Sequence, residues 1–345
     1  MKRFDKYLLS NKASIRDALI ALEMLSADTK TIFVVNENIV EGSLTDGDIR
    51  RHLIKGYTLD DSVSKIMNRR FSFIEDENID LNAIRTFRSQ FIKLLPVLNK
   101  KGELTDIYNL QKYNSFLPVD AVLMAGGKGE RLRPLTEKTP KPLLKVGEKP
   151  IIDYNIDSLL SYGIKHISVT INYLGTQIEK HFENERDGVQ INCVKEPEYL
   201  GTMGAIKFVP HIHNDSCLVM NSDLFTNIDY EDFYLHFKEH NADMSVAVVP
   251  YSITVPYGIF ELEGRNIKGL KEKPTYNYYA NAGIYLIKKE LIELIPDKTF
   301  YNATDLVEKL IALNRNVIRF PLTGYWIDIG KPEDYKKAQE LIKHL

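Results

Sequence analysis

The sequence has little of what marks exported, membrane-spanning or disulfide-bonded proteins. Its 345 residues contain only two cysteines, Cys193 and Cys217, which have neither a metal-motif spacing nor the density of a disulfide scaffold. No run of about 18 apolar residues occurs, and the basic N-terminus lacks the apolar core of a signal peptide. These absences predict a cytoplasmic protein with no membrane helix.

An excess of charge of either sign is also absent. The chain carries 45 Lys and Arg against 47 Asp and Glu, a net charge of −2, which argues against a general nucleic-acid binder with a basic surface. Any anion-binding site must therefore be local. With 44% hydrophobic and 27% charged residues, the composition is that of an ordinary globular protein, and the length suggests two domains.

A weak internal repeat marks the first part of the chain. IFVVN at residues 32–36 and LLPVLN at residues 94–99 align at a separation of 63 residues. Each copy is predicted to form helix, strand, tight turn, strand and helix, the last strand and helix of the second copy falling in ELTDIYNLQKY. The pattern ends near residues 114–118, which predicts an α+β domain over residues 1–117 and a second domain over residues 118–345.

The second domain alternates β-branched runs with amphipathic helical patterns. The predicted strands are DAVLMA, HISVTI, QINCVKE, SCLVMNSD and DMSVAVVP, and the predicted helices are IIDYNIDSLLSYG, LGTQIEKHFEN and YEDFYLHFKEHN. Such alternation favours a layered α/β domain with a largely parallel sheet. The last helix also holds an H-x-x-E-H motif at His236 and His240, typical of inverse zinc proteases, which we interpret instead as the solvated face of an amphipathic helix.

The strongest signal follows the first of these strands. The segment LMAGGKGERLRPLTEKTPKPLL, residues 123–144, has three glycines that let backbone N–H groups approach a phosphate closely. Six basic and only two acidic residues lie between Gly126 and Lys145. The segment therefore predicts a loop that binds a polyphosphate.

This segment resembles the signature GGxGxRLxPLTxxxPKPLL of the sugar-phosphate nucleotidylyltransferases, and the similarity extends over most of residues 119–345. The resemblance implies a Rossmann-like, three-layer α/β nucleotidyltransferase domain with a mixed, mostly parallel sheet. It also implies that Arg131 holds the triphosphate and that Lys141 contacts phosphate, both as catalytic residues. The nucleotide contacts that it implies are Ala125, Gly126, Gly127, Gly129 and, within EPEYLGTMGA, Glu196, Gly201 and Thr202.

Two aspartates complete the catalytic set that the resemblance implies. Asp223 lies in NSDLFTNID and Asp328 in YWIDIGKPEDY, and both are expected to bind Mg²⁺. A sugar 1-phosphate needs no general base, because its second pKa is about 6, so the absence of a recognisable Ser/His/Asp triad agrees with this reaction. The sugar-phosphate contacts that the resemblance implies are Gly258, Glu272, Lys273 and Asn281.

Glu196 indicates which base is bound. Thymidylyl and uridylyl relatives often have glutamine at the equivalent position, whereas an ionised glutamate offers two acceptors, which match the N1–H and N2–H₂ donors of guanine. The resemblance thus implies transfer of a nucleotidyl group from GTP to a hexose or hexosamine 1-phosphate, either glucosamine 1-phosphate or mannose 1-phosphate. The alternatives are an enzyme of this class using UTP, CTP or dTTP, a noncatalytic nucleotide-sensing subunit, and a Glu196 that merely pairs with a lysine.

The segment GSLTDGDIRRHL, residues 42–53, resembles cystathionine-β-synthase (CBS) domains, so the first domain is predicted to be a tandem CBS pair. In such domains Thr-x-x-Asp, here Thr45 and Asp48, holds the ribose of an adenine nucleotide, but the second copy has Asn109 and Lys112 instead. A sensor and a dimerising pair without ligand both agree with this pattern, and we expect a homo-oligomer formed through the CBS domains. The combination of domains resembles the guanylyltransferases of bacterial surface-glycan pathways.

Overall fold

The computed structural model describes residues 4–25, 29–76 and 79–345. It divides the chain into two compact units, Met1–Phe116 and Leu117–Leu345, a division one residue before the boundary that the sequence predicts. In the described part of the chain, no helix is long and apolar enough to cross a bilayer.

The first unit consists of two similar three-stranded sheets with their helices. In each sheet the first strand pairs in parallel with the second, which pairs antiparallel with the third. The first copy contains β1 (Leu8–Ser10), α1 (Ile15–Met24), β2 (Thr31–Asn36), β3 (Ile39–Thr45) and α2 (Asp46–Ile54). The second copy contains β4 (Ile74–Glu75), α3 (Leu81–Ser89), β5 (Leu94–Leu98) and β6 (Leu104–Asn109).

The predicted repeat is present in the strand pairing. The register shifts between Val34 and Val35 in β2 and at the equivalent positions, 63 residues later, in β5. Ile39 also forms an antiparallel bridge with Glu103. Glu103 is the equivalent of Ile39 in the second copy, at a separation of 64 instead of 63 residues, because the second turn contains one additional residue. The two copies are therefore related by an approximate two-fold axis near this bridge. Their assignment to a CBS pair stays a prediction.

The predicted final helix of the second copy is wrong. After β6 the chain forms a turn, in which the Asn109 side chain accepts hydrogen bonds from the backbone N–H groups of Gln111 and Lys112 at 3.0 and 3.1 Å. The Tyr113 N–H closes the same turn on the Asn109 carbonyl at 3.1 Å. Asparagine favours such local turns because its side chain competes with the helical backbone for hydrogen bonds.

Thr45 and Asp48 form a capping box at the start of α2. The Thr45 hydroxyl accepts a hydrogen bond from the Asp48 N–H at 3.2 Å, and the Asp48 carboxylate accepts from the Thr45 N–H at 2.9 Å. The other Asp48 oxygen pairs with Arg51 at 2.6 Å. Ser14 and Asp17 form the same box at the start of α1. The residues predicted to hold a ribose thus satisfy the unpaired N–H groups of a helix terminus.

The second unit contains the remaining strands and helices. Its strands are β7 (Asp120–Ala125), β8 (Lys145–Val146), β9 (Lys149–Pro150), β10 (His166–Ile171), β11 (Ile191–Lys195), β12 (Ser216–Asn221), β13 (Leu224–Thr226), β14 (Met244–Thr254), β15 (Ile259–Glu263), β16 (Asn266–Lys271), β17 (Thr275–Lys288), β18 (Val317–Pro321) and β19 (Trp326–Asp328). Its helices are α4 (Ile151–Ser161), α5 (Gly175–His181), α6 (Tyr230–Glu239), α7 (Ala303–Ala312) and α8 (Pro332–Leu341). The strands and helices predicted for this part are confirmed to within a few residues, apart from a longer β14.

A seven-stranded sheet forms the centre of this unit, in the order β11-β10-β7-β12-β17-β14-β18. Only β17 runs antiparallel to its neighbours, so the sheet is mixed and mostly parallel, as predicted. Its strands contribute fully buried side chains such as Val122 and Val219, against which Leu306 of α7 packs. The strand order and directions are those of a layered, Rossmann-like α/β fold.

The second half of β14 and the first half of β17 extend as a two-stranded ribbon, and the separate hairpin of β15 and β16 lies between them in the chain. Tyr251 pairs with Tyr278 and Ile253 with Tyr276, so these four partly exposed side chains share one face of the ribbon. Neither the ribbon nor the hairpin was among the strands predicted from sequence, although Tyr251, Ser252, Ile253 and Thr254 alternate between apolar and polar side chains as a strand does.

We expect Asp48→Ala and Asp17→Ala to lower the free energy of unfolding of the first unit by similar amounts, about 1 kcal/mol each, because each variant removes half of a capping box. Urea denaturation followed by far-UV circular dichroism measures this loss. The only tryptophan, Trp326, lies in the second unit, so its fluorescence transition serves as the internal control and should not move. A loss confined to Asp17→Ala would contradict a capping role for Asp48.

Candidate functional site

The predicted site residues gather at the carboxyl edge of the parallel strands. Gly126 follows β7, Asn172 follows β10, Glu196 follows β11, and Asp223 lies two residues beyond β12. The Glu196 N–H donates to the Ile171 carbonyl at 3.0 Å, and the Ser222 hydroxyl donates to the carbonyl of Met124 at 2.8 Å, which ties neighbouring strand ends together. Ligands of open α/β sheets bind at this edge.

The loop after β7 carries the predicted phosphate-binding residues. Gly129 has φ +62° and begins a 3₁₀ turn, Glu130–Leu132, that holds the exposed Arg131. The Thr136 hydroxyl donates to the Gly129 carbonyl at 2.8 Å, which closes the loop, and a second 3₁₀ turn begins at Lys141. A Cβ at position 129 would lie 3.1 Å from the Lys141 Cβ, so the positive φ and the close packing both favour glycine here.

Lys141, Asp223 and Asp328 come together as the sequence predicts. The Lys141 ammonium forms a hydrogen-bonded ion pair with Asp223, and its Nζ lies 3.7 Å from the Asp328 carboxylate. Burial and the neighbouring charge of Asp223 raise the pKa of Asp328, whereas Lys141 and Arg131 act in the opposite direction. Burial and the charge of Asp223 thus disfavour the ionised form of Asp328, and Lys141 and Arg131 offset only part of this effect.

Strand pairing brings the two aspartates together from positions 105 residues apart in sequence. Asp328 ends β19, which pairs antiparallel with β13, and the Ile329 N–H donates to the Asp223 carbonyl at 3.1 Å. The Trp326 indole N–H donates to the Ala282 carbonyl of β17 at 2.9 Å, which ties β19 to the main sheet. The Arg131 guanidinium lies against Gly330, next to Asp328.

These residues fit a magnesium ion. Oδ1 of Asp223 and Oδ1 of Asp328 are buried and have no hydrogen-bond donor among the described residues. Within residues 4–25, 29–76 and 79–345, no group of three or more acidic, histidine or cysteine side chains is arranged to hold a metal. Magnesium does not need one, because it binds through one or two carboxylates and completes its octahedron with water and phosphate oxygens.

Glu196 lies on the other side of the glycine loop and is buried. Its Oε2 accepts a hydrogen bond from the Leu200 N–H at 3.0 Å, and its carboxylate faces Gly126 so closely that any Cβ there would overlap it. Burial raises the pKa of Glu196, and the hydrogen bond from Leu200 partly offsets that effect. No lysine ion pair of Glu196 is seen in the part of the chain that the structure describes, which leaves the carboxylate open to a ligand donor.

The other residues predicted to contact the nucleotide differ in their burial and in the contacts that they already make. Ala125 is buried at the end of β7, and Gly127 is exposed with open space around it. Gly201 has φ +78° and lies against the Tyr301 carbonyl. Thr202 already accepts a hydrogen bond from the Ala303 N–H at 3.0 Å.

Tyr199 lies in the same loop as Glu196 and was not among the site residues predicted from sequence. Burial raises the pKa of its phenol, and the charges of Glu196 and Asp223 act in the same direction. The ring is half-exposed and packs edge-on against Phe300 at 5.9 Å. Its position in EPEYLGTMGA was the available signal, but an aromatic residue in a loop has no spacing rule of its own.

The predicted sugar-phosphate residues lie where the ribbon meets the hairpin and on β17. The Glu272 carboxylate faces Gly258, and Lys273 adopts a positive φ of 42° between β16 and β17. The Asn281 amide accepts from the Gly283 N–H at 2.9 Å and donates to the Tyr285 hydroxyl at 2.8 Å. Glu272, Lys273 and Asn281 are exposed and Gly258 is half-buried, and Asn281 also organises its own strand.

The H-x-x-E-H segment forms α6, as interpreted from its amphipathic pattern. The rings of His236 and His240 lie 4.3 Å apart, and His236 also packs against Phe320 at 5.5 Å. Nδ1 of His240 lies 2.9 Å from the His236 carbonyl oxygen, within hydrogen-bond distance. These contacts are those of a helix that packs on β18 through one face.

Comparison with known proteins matches residues 120–344 to the family described as "Nucleotidyl transferase", and the chain belongs to this family. It is 30% identical over 229 residues to the D-glycero-alpha-D-manno-heptose 1-phosphate guanylyltransferase of Aneurinibacillus thermoaerophilus, which covers 66% of this chain and 99% of that protein. It is 28% identical over 227 residues to the mannose-1-phosphate guanyltransferase beta-B of Xenopus laevis. The match covers 62% of both chains, so this chain spans less than two thirds of the length of that relative.

Solved structures show the same similarity. HddC from Yersinia pseudotuberculosis complexed with GMP-PN is 26% identical, with a TM-score of 0.52, and covers 65% of this chain and 99% of its own. The structure of HddC alone is 28% identical with the same TM-score and the same coverage. In all four comparisons the similarity covers about two thirds of the chain or slightly less.

We expect Asp328→Asn to raise the melting temperature in metal-free buffer and to lower turnover by on the order of 100-fold. The variant removes one of two repelling carboxylates and also a proposed metal ligand. Differential scanning fluorimetry in EDTA and release of pyrophosphate at fixed Mg²⁺ measure the two effects.

Asp243→Asn is the matched control. Burial raises the pKa of Asp243, but Lys288 at 2.8 Å and the Asn316 N–H at 3.0 Å outweigh it and hold the pKa below its ordinary value. Its ionised form therefore stabilises the fold above pH 4, and this contribution is lost as the pH falls through the lowered pKa. Asp243→Asn should lower the melting temperature and keep activity. A melting temperature for Asp328→Asn below that of the wild type would contradict the proposed charge repulsion.

Proposed function

We propose that the chain transfers a guanylyl group from GTP to a hexose or hexosamine 1-phosphate, with glucosamine 1-phosphate and mannose 1-phosphate as the leading acceptors. The proposal rests on the arrangement of side chains at the carboxyl edge of the sheet. Glu196 faces Gly126 on one side of this edge, and Lys141 joins Asp223 and Asp328 on the other. The names of the relatives, guanylyltransferases of mannose and heptose 1-phosphates, support guanine and a sugar phosphate.

The reaction joins a phosphate oxygen of the sugar 1-phosphate to the α-phosphorus of GTP. The bond between that phosphorus and the oxygen leading to the β-phosphate breaks, and pyrophosphate leaves. The acceptor phosphate is already largely ionised at neutral pH, so no side chain has to remove a proton. What the site must supply is alignment of the two phosphates and compensation of their negative charge.

The chain provides that compensation with residues already close together. Lys141 and Arg131 lie around the aspartate pair and would contact the triphosphate as it binds. Asp223 and Asp328 would hold Mg²⁺, which supplies charge neutralisation and a fixed orientation for the phosphates. Lys141 would then exchange its carboxylate partner for phosphate oxygens.

Recognition of the acceptor is proposed for the segment between the ribbon and the hairpin. Glu272 offers acceptors for a sugar hydroxyl or amine, and Lys273 offers a cation for the phosphate. Gly258 lies against the Glu272 carboxylate, so a larger side chain there would displace it. Asn281, on β17, is proposed as a further contact.

The base is proposed to be read by the Glu196 carboxylate. Leu200 occupies one lone pair of Oε2, and the remaining acceptor positions suit the adjacent N1–H and N2–H₂ donors of guanine. Adenine and cytosine place an acceptor beside their amino group, which would face the carboxylate without a hydrogen. An unpaired buried polar group costs about 1 to 3 kcal/mol, so the contact supplies a preference of roughly 10- to 100-fold.

Pyrophosphate release from GTP, UTP, dTTP and CTP, each with glucosamine 1-phosphate, mannose 1-phosphate or glucose 1-phosphate, tests this proposal. We expect the highest kcat/KM with GTP, and we expect Glu196→Gln to shift preference toward UTP or dTTP, since a glutamine matches N3–H and O4. Equal kcat/KM for GTP and UTP in the wild type would reject the guanine assignment. Nucleotide binding without pyrophosphate release from any pair would favour the noncatalytic alternative.

The first unit is proposed to be a regulatory or dimerising CBS pair with Thr45 and Asp48 at an adenine nucleotide site. Their capping box is complete without a ligand, so a ribose would have to share the Asp48 carboxylate with Thr45 and Arg51. The repeated sheets and the approximate two-fold axis support a paired unit, through which the homo-oligomer is proposed to form.

We expect AMP to raise the melting temperature of the full-length protein if this unit is a sensor, because a ligand that binds only the folded state stabilises it. Asp17→Ala is a matched control, since it loses the equivalent capping box without touching the proposed site. AMP should shift the melting temperature of Asp17→Ala by the wild-type amount and leave that of Asp48→Ala unchanged. An equal shift in both variants would remove Asp48 from the site.

A further inference from the structure

The segment that carries the base-reading side chain is bound to a distant part of the chain. The Tyr301 N–H donates to the Leu200 carbonyl at 3.0 Å, and the Tyr301 carbonyl accepts from the N–H groups of Met203 and Gly204 at 2.9 and 3.0 Å. Tyr301 lies immediately before Asn302, the N-cap residue of α7. The loop after β11 is therefore attached to the start of a helix 100 residues further along the chain.

Two glycines allow this attachment. A Cβ at Gly201 would lie 2.7 Å from the Tyr301 carbonyl oxygen, and one at Gly204 would lie 2.6 Å from the Thr299 carbonyl oxygen. Side chains at these positions would force the backbones apart. The glycines of EPEYLGTMGA thus serve the contact with the α7 segment.

Thr202 makes the only side-chain contribution from this loop to the helix start among the described hydrogen bonds. Its hydroxyl accepts from the N–H of Ala303, the first residue of α7, at 3.0 Å, and its own N–H lies 3.4 Å from Oδ1 of Asn302. The N–H groups of the first helical turn have no partner within the helix. Thr202 therefore caps α7 although it is not part of the segment that leads into the helix. The same hydrogen bond holds Thr202 at the helix start.

The same loop orients Glu196. The Leu200 N–H, two residues before Thr202, donates to Glu196 Oε2 at 3.0 Å, and both Leu200 and Glu196 are buried. Leu200 is held from its other side by the hydrogen bond that its carbonyl accepts from Tyr301. Movement of the loop away from α7 would therefore move the Leu200 N–H, which holds the Glu196 carboxylate in place.

We infer that Thr202 is a positioning residue for base selection, acting through the loop and Leu200 on Glu196 instead of through contact with the base. The inference rests on the proposed reading of guanine by Glu196. It gives Thr202 a different role from the direct nucleotide contact that its motif implies. It also means that the start of α7 contributes to selection of the nucleotide base, although nothing in the local sequence there indicates a nucleotide site.

The test compares Thr202→Val, which keeps the shape and loses the acceptor, with Thr202→Ser, which keeps the hydroxyl. Thr299→Val is the matched control, because the Thr299 hydroxyl donates to Asp297 within its own turn at 2.9 Å and not to the loop. We expect Thr202→Val to lower kcat/KM for GTP by roughly 3- to 10-fold, the scale of one neutral hydrogen bond, and to lower the GTP-to-UTP ratio. KM for the sugar 1-phosphate should stay unchanged, and Thr202→Ser and Thr299→Val should behave as wild type.

A double-mutant cycle with Glu196→Gln separates positioning from general destabilisation. If Thr202 acts through Glu196, then Thr202→Val should cause no further loss of the GTP-to-UTP ratio in the Glu196→Gln background. Losses that add fully, or a loss of activity with GTP and UTP in equal proportion, would overturn the inference. Thr202→Ala provides a second variant should the valine form fail to fold.

Amide hydrogen exchange at Leu200 gives a readout that does not depend on turnover. We expect faster exchange at Leu200 in Thr202→Val than in the wild type, with no change in Thr299→Val. Unchanged exchange at Leu200 would overturn the anchoring itself. A wild-type enzyme without preference for GTP, combined with faster exchange in Thr202→Val, would instead show that the anchor exists and that the proposed base reading is wrong.

Discussion

The cluster of Asp223, Asp328 and Lys141 is the interaction on which the site of the second unit depends. Left alone, two partly buried carboxylates destabilise a fold, yet the pairing of β13 with β19 and the hydrogen bond from Ile329 to the Asp223 carbonyl hold them together. Lys141 offsets part of the charge, and two buried oxygens remain without a hydrogen-bond donor in the described structure. Such a concentration of charge is a feature of functional sites, because a cation or a polyphosphate complex relieves it.

The glycine loop after β7 separates this charged side from the base side. Its Gly126 end lies against Glu196, and its far end positions Lys141 against the aspartates. Glu196 follows β11 and Asp223 follows β12, two parallel strands of the same sheet, so the sheet sets the distance between these two residues. In the proposed reaction, this one edge would hold a nucleotide at its two chemically distinct ends.

The same hydrogen-bonding chemistry recurs in both units with different consequences. Thr45 and Asp48 cap the helix that follows them in the chain, so their pattern alone does not distinguish a helix start from a ribose site. Thr202 caps a helix 100 residues away, so its contact connects two parts of the fold. The hydroxyl of a threonine near a helix N-terminus can cap that helix. Whether the cap can affect a bound ligand depends on which helix is capped.

The sequence by itself determined the α/β class, most strands and helices of the second unit, the repeat in the first, and the glycine-rich basic loop after β7, because these depend on periodicity and on glycine and charge within short segments. It did not predict the turn after β6, where Asn109 captures its own neighbours, or the ribbon beyond the sheet. The family resemblance implied that Asp328 meets Asp223, but only the tertiary structure showed that the pairing of β13 with β19 brings them together. It alone decided that Glu196 faces Gly126 and that Thr202 is held by α7. These contacts join segments that are 70 to about 105 residues apart, and such pairings follow from strand order and loop packing, which no local pattern encodes.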